Sequence, residues 1–320
     1  MGVYMRPASR SRGLIVILIG IMWAAVPQPG TSQSVERVLY VSALNRSGRP
    51  VDVLLPMDII VRENNVTRNV LRVSRVAESF DIAVLVDTSQ SAEPFVRDFR
   101  QALTDFFRTM GDRHQIALIG FGQRPAVLVN YTNDPGRLQR GLSRVYAQSG
   151  SGAYLMEALI DVSQDLRRRE NPRRVAIVIA TEGAEFANRD AREVVGGVVA
   201  SDVVLDAFAI SATSGVVRAH EPEAARVGAT PPSFPTFPDQ NATERAAALD
   251  EAAELTGGRV EHLDTSMVLG SRLRELASEF NNQYRITYEG TRPSTNARSS
   301  IEVQGARGDV RVRAMWIPPN

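Results

Sequence analysis

The sequence has 320 residues, of which 43% are hydrophobic and 23% are charged, and its formal net charge is +1. This is an ordinary globular composition with room for two modest domains. The chain has no cysteine, and all 37 of its basic residues are arginine. Disulfides, cysteine-based zinc sites, lysine Schiff-base chemistry and a phosphate-loop lysine are therefore excluded.

Residues 1–34 have the pattern of a secretory signal peptide. Three arginines precede an apolar run over 14–26, which is too short to span a membrane comfortably, and small residues follow up to Ser34. We therefore expect cleavage after this segment and a periplasmic, cell-envelope or secreted location, with membrane contact only if the segment is retained. Its removal takes away three arginines and changes the net charge from +1 to −2, so the remaining chain has no bulk electrostatic reason to bind nucleic acid.

Residues 35–78 are predicted to form β-strands. Over 38–44, Val38, Tyr40 and Ser42 alternate with Leu39, Val41 and Ala43, as on the two faces of a strand. A turn signal follows at 45–48, and further strand patterns cover 58–62 and 69–76. About 44 residues are too few to make a robust sheet domain alone.

The chain is organised around the stretch that follows. The apolar run 80–86 is typical of a buried parallel strand, and it ends abruptly before Asp87, Ser89 and Ser91. Helical spacing of apolar residues then continues to about residue 110. Ligands of open α/β sheets bind at the carboxyl edge of the strands, and one carboxylate with two hydroxyls makes a hard-oxygen cluster that suits Mg²⁺ or Ca²⁺.

Strand and helix patterns alternate through the rest of residues 79–283. Strands are predicted at 114–122, 126–131, 175–180, 203–210 and 259–263, and helices at 135–145, 154–168, 189–201, 243–255 and 265–281. The tight turn before residue 126 makes the next strand antiparallel at an edge. This alternation predicts an α/β fold with a doubly wound, mostly parallel sheet. The proline-rich stretch 212–243 leaves the same carboxyl edge, and we expect either a partner-contacting lid or a disordered insert there.

From residue 284 the pattern returns to a period of two. Alternating runs over 284–288, 301–303 and 310–314 are separated by turn signals and read as terminal hairpins. Neither 35–78 nor 284–320 can bury a core alone. We therefore expect the two ends to form one small all-β domain, into which the α/β domain of residues 79–283 is inserted.

The residues after the strand 80–86 resemble a known family. Asp87, Ser89 and Ser91 make an Asp-x-Ser-x-Ser sequence, which resembles the metal-ion-dependent adhesion site of von Willebrand factor type A (VWFA) domains. The resemblance implies that both serine hydroxyls touch the cation and that the aspartate binds it through water. It also implies that a carboxylate of a protein partner, docked at the carboxyl edge of the sheet, completes the octahedron.

Two further loops of that site have counterparts in the expected order, with one substitution in each. The sequence 181–183 is Thr-Glu-Gly where the family usually has Thr-Asp-Gly, and Ala153 stands where the family has a ligating threonine. Glu182 keeps the charge and reaches one methylene further, so it is a candidate direct ligand. The predicted metal ligands are therefore Asp87, Ser89, Ser91 and Glu182. The resemblance leaves two alternatives, a weakened site for Mg²⁺, Ca²⁺ or Mn²⁺ and a hydrogen-bonded remnant in which the aspartate and first serine cap the next helix.

The two β segments also resemble a family. Residues 47–64, the run 283–288 and the ending 310–313 are similar to the terminal pieces of a bacterial family of VWFA-related exported proteins, described largely from Acidobacteria. The resemblance in these segments is structural and implies no site.

The expected function is that of an exported, non-enzymatic VWFA-type protein-binding module with a degenerate adhesion site. The alternative is a metal-independent structural or assembly subunit of an envelope complex. His114, His220 and His262 are isolated from one another and no Gly-x-Ser-x-Gly occurs, so a hydrolytic triad is not supported. Gly150 and Gly152 follow no strand and lack a third glycine, so no dinucleotide cofactor is expected either.

Overall fold

The computed structural model describes residues 34–47, 49–211, 240–291, 301–306 and 310–316, together with Gly2. Its strands are β1 (Ser34–Asn45), β2 (Ile59–Glu63), β3 (Val66–Arg68), β4 (Val70–Arg75), β5 (Asp81–Val86), β6 (Gln115–Gly120), β7 (Ala126–Thr132), β8 (Arg174–Thr181), β9 (Val203–Ile210), β10 (Arg259–Leu263), β11 (Gln283–Thr291), β12 (Ile301–Gly305) and β13 (Val310–Trp316). Its α-helices are α1 (Val96–Met110), α2 (Pro135–Gly141), α3 (Leu155–Arg168), α4 (Ala191–Ala200), α5 (Gln240–Thr256) and α6 (Leu269–Asn281).

The central sheet has the strand order β10-β9-β8-β5-β6-β7. Every neighbouring pair is parallel except β6 with β7, so β7 is the antiparallel edge strand that the tight turn predicted. All six residues of β5 are buried, because this strand has a neighbour on each side and helices on both faces. The predicted doubly wound, mostly parallel sheet is confirmed.

The helices divide between the two faces of this sheet. Side chains of α1, α2 and α6 share one apolar core with β5, β6 and β8, and side chains of α3, α4 and α5 share the other. On α1 the buried residues recur at helical spacing and include Phe99, Leu103 and Phe106, as the sequence pattern predicted. Asp134 caps α2 by accepting hydrogen bonds from the backbone of Gly136 and Arg137.

Both ends of the described chain contribute to a β-sandwich. One sheet has the order β13-β1-β11-β4 and the other β12-β2-β3. Leu39 and Val41 of β1, Val61 of β2, and Ile286 and Tyr288 of β11 are fully buried in the core that the two sheets share. The predicted all-β sheets built from both chain ends are therefore present.

The predicted terminal hairpins are wrong. Within the described residues, β11, β12 and β13 do not pair with one another: β11 lies between β1 and β4, β12 pairs with β2, and β13 pairs with β1. The reason is burial, since an isolated hairpin would leave Ile286 and Tyr288 facing water. The turn expected at 290–293 also begins later, because β11 continues to Thr291.

The chain crosses between the sandwich and the α/β layer at two neighbouring points. Arg75 ends β4 and pairs with Tyr284 near the start of β11, and the backbone N–H of Val76 donates to the carbonyl of Gln283 at 2.9 Å. The exit from the sandwich and the return to it therefore lie side by side.

Two of the expectations lie largely outside the described residues. They are the signal segment 1–34, of which only Gly2 and Ser34 are described, and the proline-rich stretch, of which 212–239 is not described. The helix after that stretch, α5, begins at Gln240 rather than at residue 243. Among the described residues, no helix has the length and apolarity needed to cross a membrane.

Candidate functional site

Asp87 joins the carboxyl ends of β5 and β8. It directly follows β5, its side chain is fully buried, and its backbone N–H donates to Ile179 of β8 at 2.9 Å. One carboxylate oxygen accepts the backbone N–H of Ser89 at 2.8 Å. The other accepts the backbone N–H of Thr181 at 3.0 Å and its hydroxyl at 2.7 Å. The carboxylate thus ties two neighbouring strand ends together.

A chain of hydroxyl groups leads away from this carboxylate. Ser91 Oγ lies 2.8 Å from Thr181 Oγ1 and 2.8 Å from Ser89 Oγ. Because Thr181 gives its hydroxyl hydrogen to Asp87, it accepts from Ser91, and Ser91 in turn accepts from Ser89. The hydrogen bonds therefore run in one direction, from Ser89 to Asp87. We call these four residues the Asp87 cluster.

The turn after β8 has to come very close to this cluster. A Cβ added to Gly183 would lie 2.4 Å from Ser91 Oγ and 2.7 Å from Ser91 Cβ. Any larger residue at position 183 would therefore displace the Ser91 hydroxyl.

The two substituted positions behave differently. Ala153 is buried, and its backbone bonds to Ala184 at 2.8 Å and Phe186 at 2.7 Å, so the loop after β8 packs onto it and its methyl group offers no oxygen. Glu182 is exposed and accepts a hydrogen bond from Ser211 Oγ at 2.6 Å. The structure therefore brings Asp87, Ser89 and Ser91 together and directs the Glu182 carboxylate toward the end of β9.

Part of this donor set fits a hydrated divalent cation. Ligands about 2.1 Å from Mg²⁺ lie roughly 3 Å apart along an octahedral edge, and the two serine oxygens are 2.8 Å apart. Both are hard oxygens, and a buried carboxylate lies one hydrogen bond behind them. Among the residues that the structure describes, no three His, Cys, Asp or Glu side chains group to hold a metal. Any cation here would thus depend on hydroxyl groups and water.

Thr181 and Ser211 take part in the site, although the sequence does not predict a functional role for either. Thr181 belongs to the Thr-Glu-Gly sequence, but the resemblance selects its neighbour Glu182 as the ligand. The sequence offered no signal for Ser211, which the chain brings to the edge at the end of β9.

A buried ion pair between Glu185 and Arg245 lies next to the cluster and contacts the backbone of Thr181. The carboxyl group of Glu185 is buried, which raises its pKa to about 7, although Arg245 and the N–H groups of Ala187, Met156 and Leu155 oppose that change. Arg245 Nη1 lies 3.6 Å from Glu185 Oε2, and its Nη2 donates to the carbonyl of Thr181 at 3.2 Å.

The described histidines lie away from the cluster. His114 precedes β6, at the opposite end of the sheet, and accepts the backbone N–H of Phe80 at 3.0 Å. Burial lowers its pKa to about 4, so the ring is neutral and structural. His262 is an exposed surface residue on β10, and His220 lies outside the described residues.

Comparisons with known proteins give one family match, which covers about a third of the chain. Residues 82–184 match the family described as von Willebrand factor type A domain. A comparison with curated proteins found no match. The family match supports a protein that carries a VWFA domain, a kind of domain that generally mediates protein–protein interaction.

Several solved structures resemble the chain. The conserved hypothetical protein BatB from Bacteroides thetaiotaomicron is 13% identical with a TM-score of 0.46, over 63% of this chain and 98% of that one. A von Willebrand factor type A protein from Catenulispora acidiphila is 10% identical with a TM-score of 0.47, over 90% and 75%. Proximal thread matrix protein 1 from the mussel byssus, with a zinc-occupied MIDAS motif, is 13% identical with a TM-score of 0.46, over 69% and 50%.

Proposed function

We propose that this chain is an exported, non-enzymatic VWFA-type module that binds a protein partner at the carboxyl edge of its central sheet. The observation that carries the proposal is the Asp87 cluster. Its two serine hydroxyls are held 2.8 Å apart by hydrogen bonds that end on a fully buried carboxylate. Such pre-organised polar groups at a sheet edge favour recognition of a polar side chain of a partner.

The position of the cluster supports this proposal. The chain leaves β5 toward α1 on one face of the sheet, and it leaves β8 toward α4 on the other face. The crevice between two strands whose connections separate in this way is where open α/β sheets bind their ligands. The Asp87 cluster occupies this crevice.

We further propose that the cluster is a weakened site for Mg²⁺, Ca²⁺ or Mn²⁺. Ser89 and Ser91 would hold the ion directly and Asp87 through water, and the Glu182 carboxylate would have to leave Ser211 to join them. A bound cation would supply positive charge for an acidic side chain of the partner. Ala153 offers no oxygen, so we expect the affinity for the ion to be low.

One observation favours a second candidate function, that of a metal-independent structural or assembly subunit. The Asp87 carboxylate already accepts three hydrogen bonds within the protein. In that case the cluster only fastens β5 to β8, and the same edge binds its partner without an ion.

The export signal and the domain boundaries belong to the same proposal. Residues 1–34 would be cleaved, residues 79–283 would form the α/β domain, and 35–78 with 284–320 would form the β domain. The similarity of the β segments to exported bacterial proteins, described largely from Acidobacteria, supports a periplasmic, envelope or secreted location.

Thermal melting with added Mg²⁺ or Mn²⁺ tests the metal site. The variant Ala153→Thr with Glu182→Asp restores the family's ligands and should show a larger rise in melting temperature than the parent protein. A ligand at one hundred times its Kd stabilises a fold by about 2.7 kcal/mol. Ser91→Ala should abolish the response, whereas Ser151→Ala, which removes a hydroxyl outside the cluster, should not.

Partner capture with and without a chelator separates the two candidate functions. Loss of partner capture from envelope fractions on adding a chelator supports the metal-dependent module. Capture that is indifferent to the chelator supports the metal-independent subunit. If the restored variant still fails to bind Mg²⁺ in calorimetric titration, the metal site is wrong.

A further inference from the structure

A groove of about 350 Å³ runs between the edge strand β7 and the helix α2. Its floor forms because α2 packs directly on the strand: a Cβ added to Gly141 would lie 2.0 Å from Val129 Cγ2. Val127 is 60% exposed at the mouth of the groove. The groove is separated from the Asp87 cluster by the strand β6, so it is a second surface.

Three arginines line one side of this groove. Arg137, Arg140 and Arg144 are three and seven residues apart, a spacing that brings them to the same side of α2 and the turn that follows it. All three are exposed, and none makes an ion pair with a carboxylate of the described residues. Asp134 at the start of α2 is the nearby carboxylate, and it accepts hydrogen bonds from the backbone of Gly136 and Arg137 rather than an ion pair. The groove therefore carries a net positive charge from its three arginines.

The edge strand itself is protected against pairing with another strand. Leu118 pairs with Val129 and Ile119 pairs with Val127, so Leu128 is an extra, bulged residue. Its carbonyl is already taken by Arg144 Nη1 at 2.7 Å. A segment bound here would be held by its side chains rather than by strand addition.

We propose that this groove binds an extended acidic segment of a partner protein. Carboxylates of the segment pair with Arg137 and Arg140, and its apolar side chains lie against Val127. Charge complementarity selects acidic residues, since guanidinium groups bind carboxylates in two-point geometry. The exposed side chain of Val127 at the mouth of the groove favours a peptide, whose apolar side chains can contact it, over the phosphate groups of nucleic acid or lipid. The inference is independent of any metal at the Asp87 cluster.

Fluorescence anisotropy with a labelled peptide of alternating Glu and Val tests the proposal. The groove variant is Arg137→Glu with Arg140→Glu. Its matched control is Arg167→Glu with Arg168→Glu, which makes the same charge change at exposed positions near the end of α3. We expect the groove variant to raise the Kd of the peptide about tenfold and the control to change it less than about twofold. Binding by the wild type should weaken as salt is raised to about 0.5 M.

Three results would overturn the proposal. The first is equal binding of a peptide in which Gln replaces every Glu. The second is an equal loss of binding in the control variant. The third is binding of a thymidine oligonucleotide or of phosphatidylglycerol vesicles that the groove variant loses while the Glu–Val peptide fails to compete. Circular dichroism checks that each variant is folded; should the double variant unfold, Arg140→Gln is measured instead and should still raise the Kd.

Discussion

The β-sandwich and the α/β layer each bury a glutamate beside an arginine, and the pKa values of the two carboxyl groups change in opposite directions. In the sandwich, Arg37 Nη1 lies 2.6 Å from Glu63 Oε1, and Thr291 donates two hydrogen bonds to Oε2. Burial alone would raise the pKa of Glu63, but the bonds from Thr291 and Arg37 lower it below its ordinary value. This carboxylate is therefore charged at neutral pH and forms part of the packing of the sandwich.

In the α/β layer, the effect of burial on the pKa of the glutamate is larger than the effect of its hydrogen bonds and of the neighbouring arginine. The Glu185 side chain is likewise closed off from solvent, it lies deeper within the protein than that of Glu63, and its arginine neighbour, Arg245, is 3.6 Å away. Burial there raises the pKa of Glu185 to about 7 in spite of Arg245.

At Glu63, two arginines, Arg37 at 2.6 Å and Arg68 at 3.1 Å, and the bonds from Thr291 outweigh the effect of burial. At Glu185, one arginine at 3.6 Å and backbone N–H groups do not outweigh it. The comparison teaches that the balance between burial and the groups that stabilise the anion decides whether a buried carboxylate stays ionised.

The largest effect should come from removing residues 284–320. This takes β11 from between β1 and β4 and leaves Leu39 and Val41 exposed, so we expect the sandwich to lose several kcal/mol and to unfold. The α/β layer should stay folded at a lower melting temperature, because it loses the ion pairs of Arg313 with Asp206 and Glu279.

Limited proteolysis and circular dichroism of the truncated protein measure the loss of structure separately for the sandwich and the α/β layer. Cleavage should concentrate before residue 79. Protease resistance of that segment equal to that of the full chain would mean that the two ends do not form one domain.

A smaller effect is expected for Glu63→Gln. The change leaves Arg37, which is 8% exposed, without its buried carboxylate, and breaking a buried ion pair in this way costs about 3–5 kcal/mol. The matched control is Glu302→Gln on β12, whose half-exposed carboxylate is 3.8 Å from Arg62 and should cost less than about 1 kcal/mol. Urea unfolding compares the two; equal midpoints would show that the buried pair contributes no net stability.

The smallest effect should be the pH dependence that Glu185 contributes. Folding raises the pKa of Glu185 from 4.5 to about 7, so the folded state binds a proton more tightly than the unfolded chain. The contribution of this carboxyl group to folding stability is therefore complete below pH 4.5 and is lost as the pH rises through about 7. The variant Glu185→Gln should remove this part of the dependence, which is on the order of 1–3 kcal/mol between pH 5 and 8. Exposed Glu193→Gln is the control. A stability difference between wild type and Glu185→Gln that stays constant over this range would contradict the raised pKa.

Local patterns were enough to predict most of the α/β layer. The continuous apolar run of β5 required burial on both faces, and the short turn before β7 required an antiparallel edge. The strand order of the sandwich is harder to predict. Alternation over 301–303 indicates which side chains of a strand face the core, but it does not indicate which strand pairs with it. The pairing of β12 with β2 joins segments more than two hundred residues apart, and no local signal specifies it.

For the site as well, the sequence predicts contacts within one loop but not contacts between different strands. Asp87, Ser89 and Ser91 lie on one short loop, so their proximity follows from the sequence alone. The role of Thr181 depends on strand direction, because successive residues of an extended strand point opposite ways. The backbone N–H of Thr181 therefore points to Asp87 while that of Glu182 points to Ile210 of β9.

The side-by-side crossing points between β4 and β11 have a mechanical consequence. Tension applied to the two chain ends would load β1 and β13, whose ladder starts with Tyr40 opposite Trp316 and continues to Asn45 opposite Val310. The chain enters β1 and leaves β13 at the Tyr40 end of this pairing. The force would therefore act on one pair of residues after another, and the hydrogen bonds would break sequentially. The α/β layer is attached to the sandwich at the crossing points that the Val76 to Gln283 hydrogen bond closes, and to β13 only through side-chain contacts such as the ion pairs of Arg313. A protein held at its ends would thus yield in the sandwich first, while the surface formed by the carboxyl edge kept its shape.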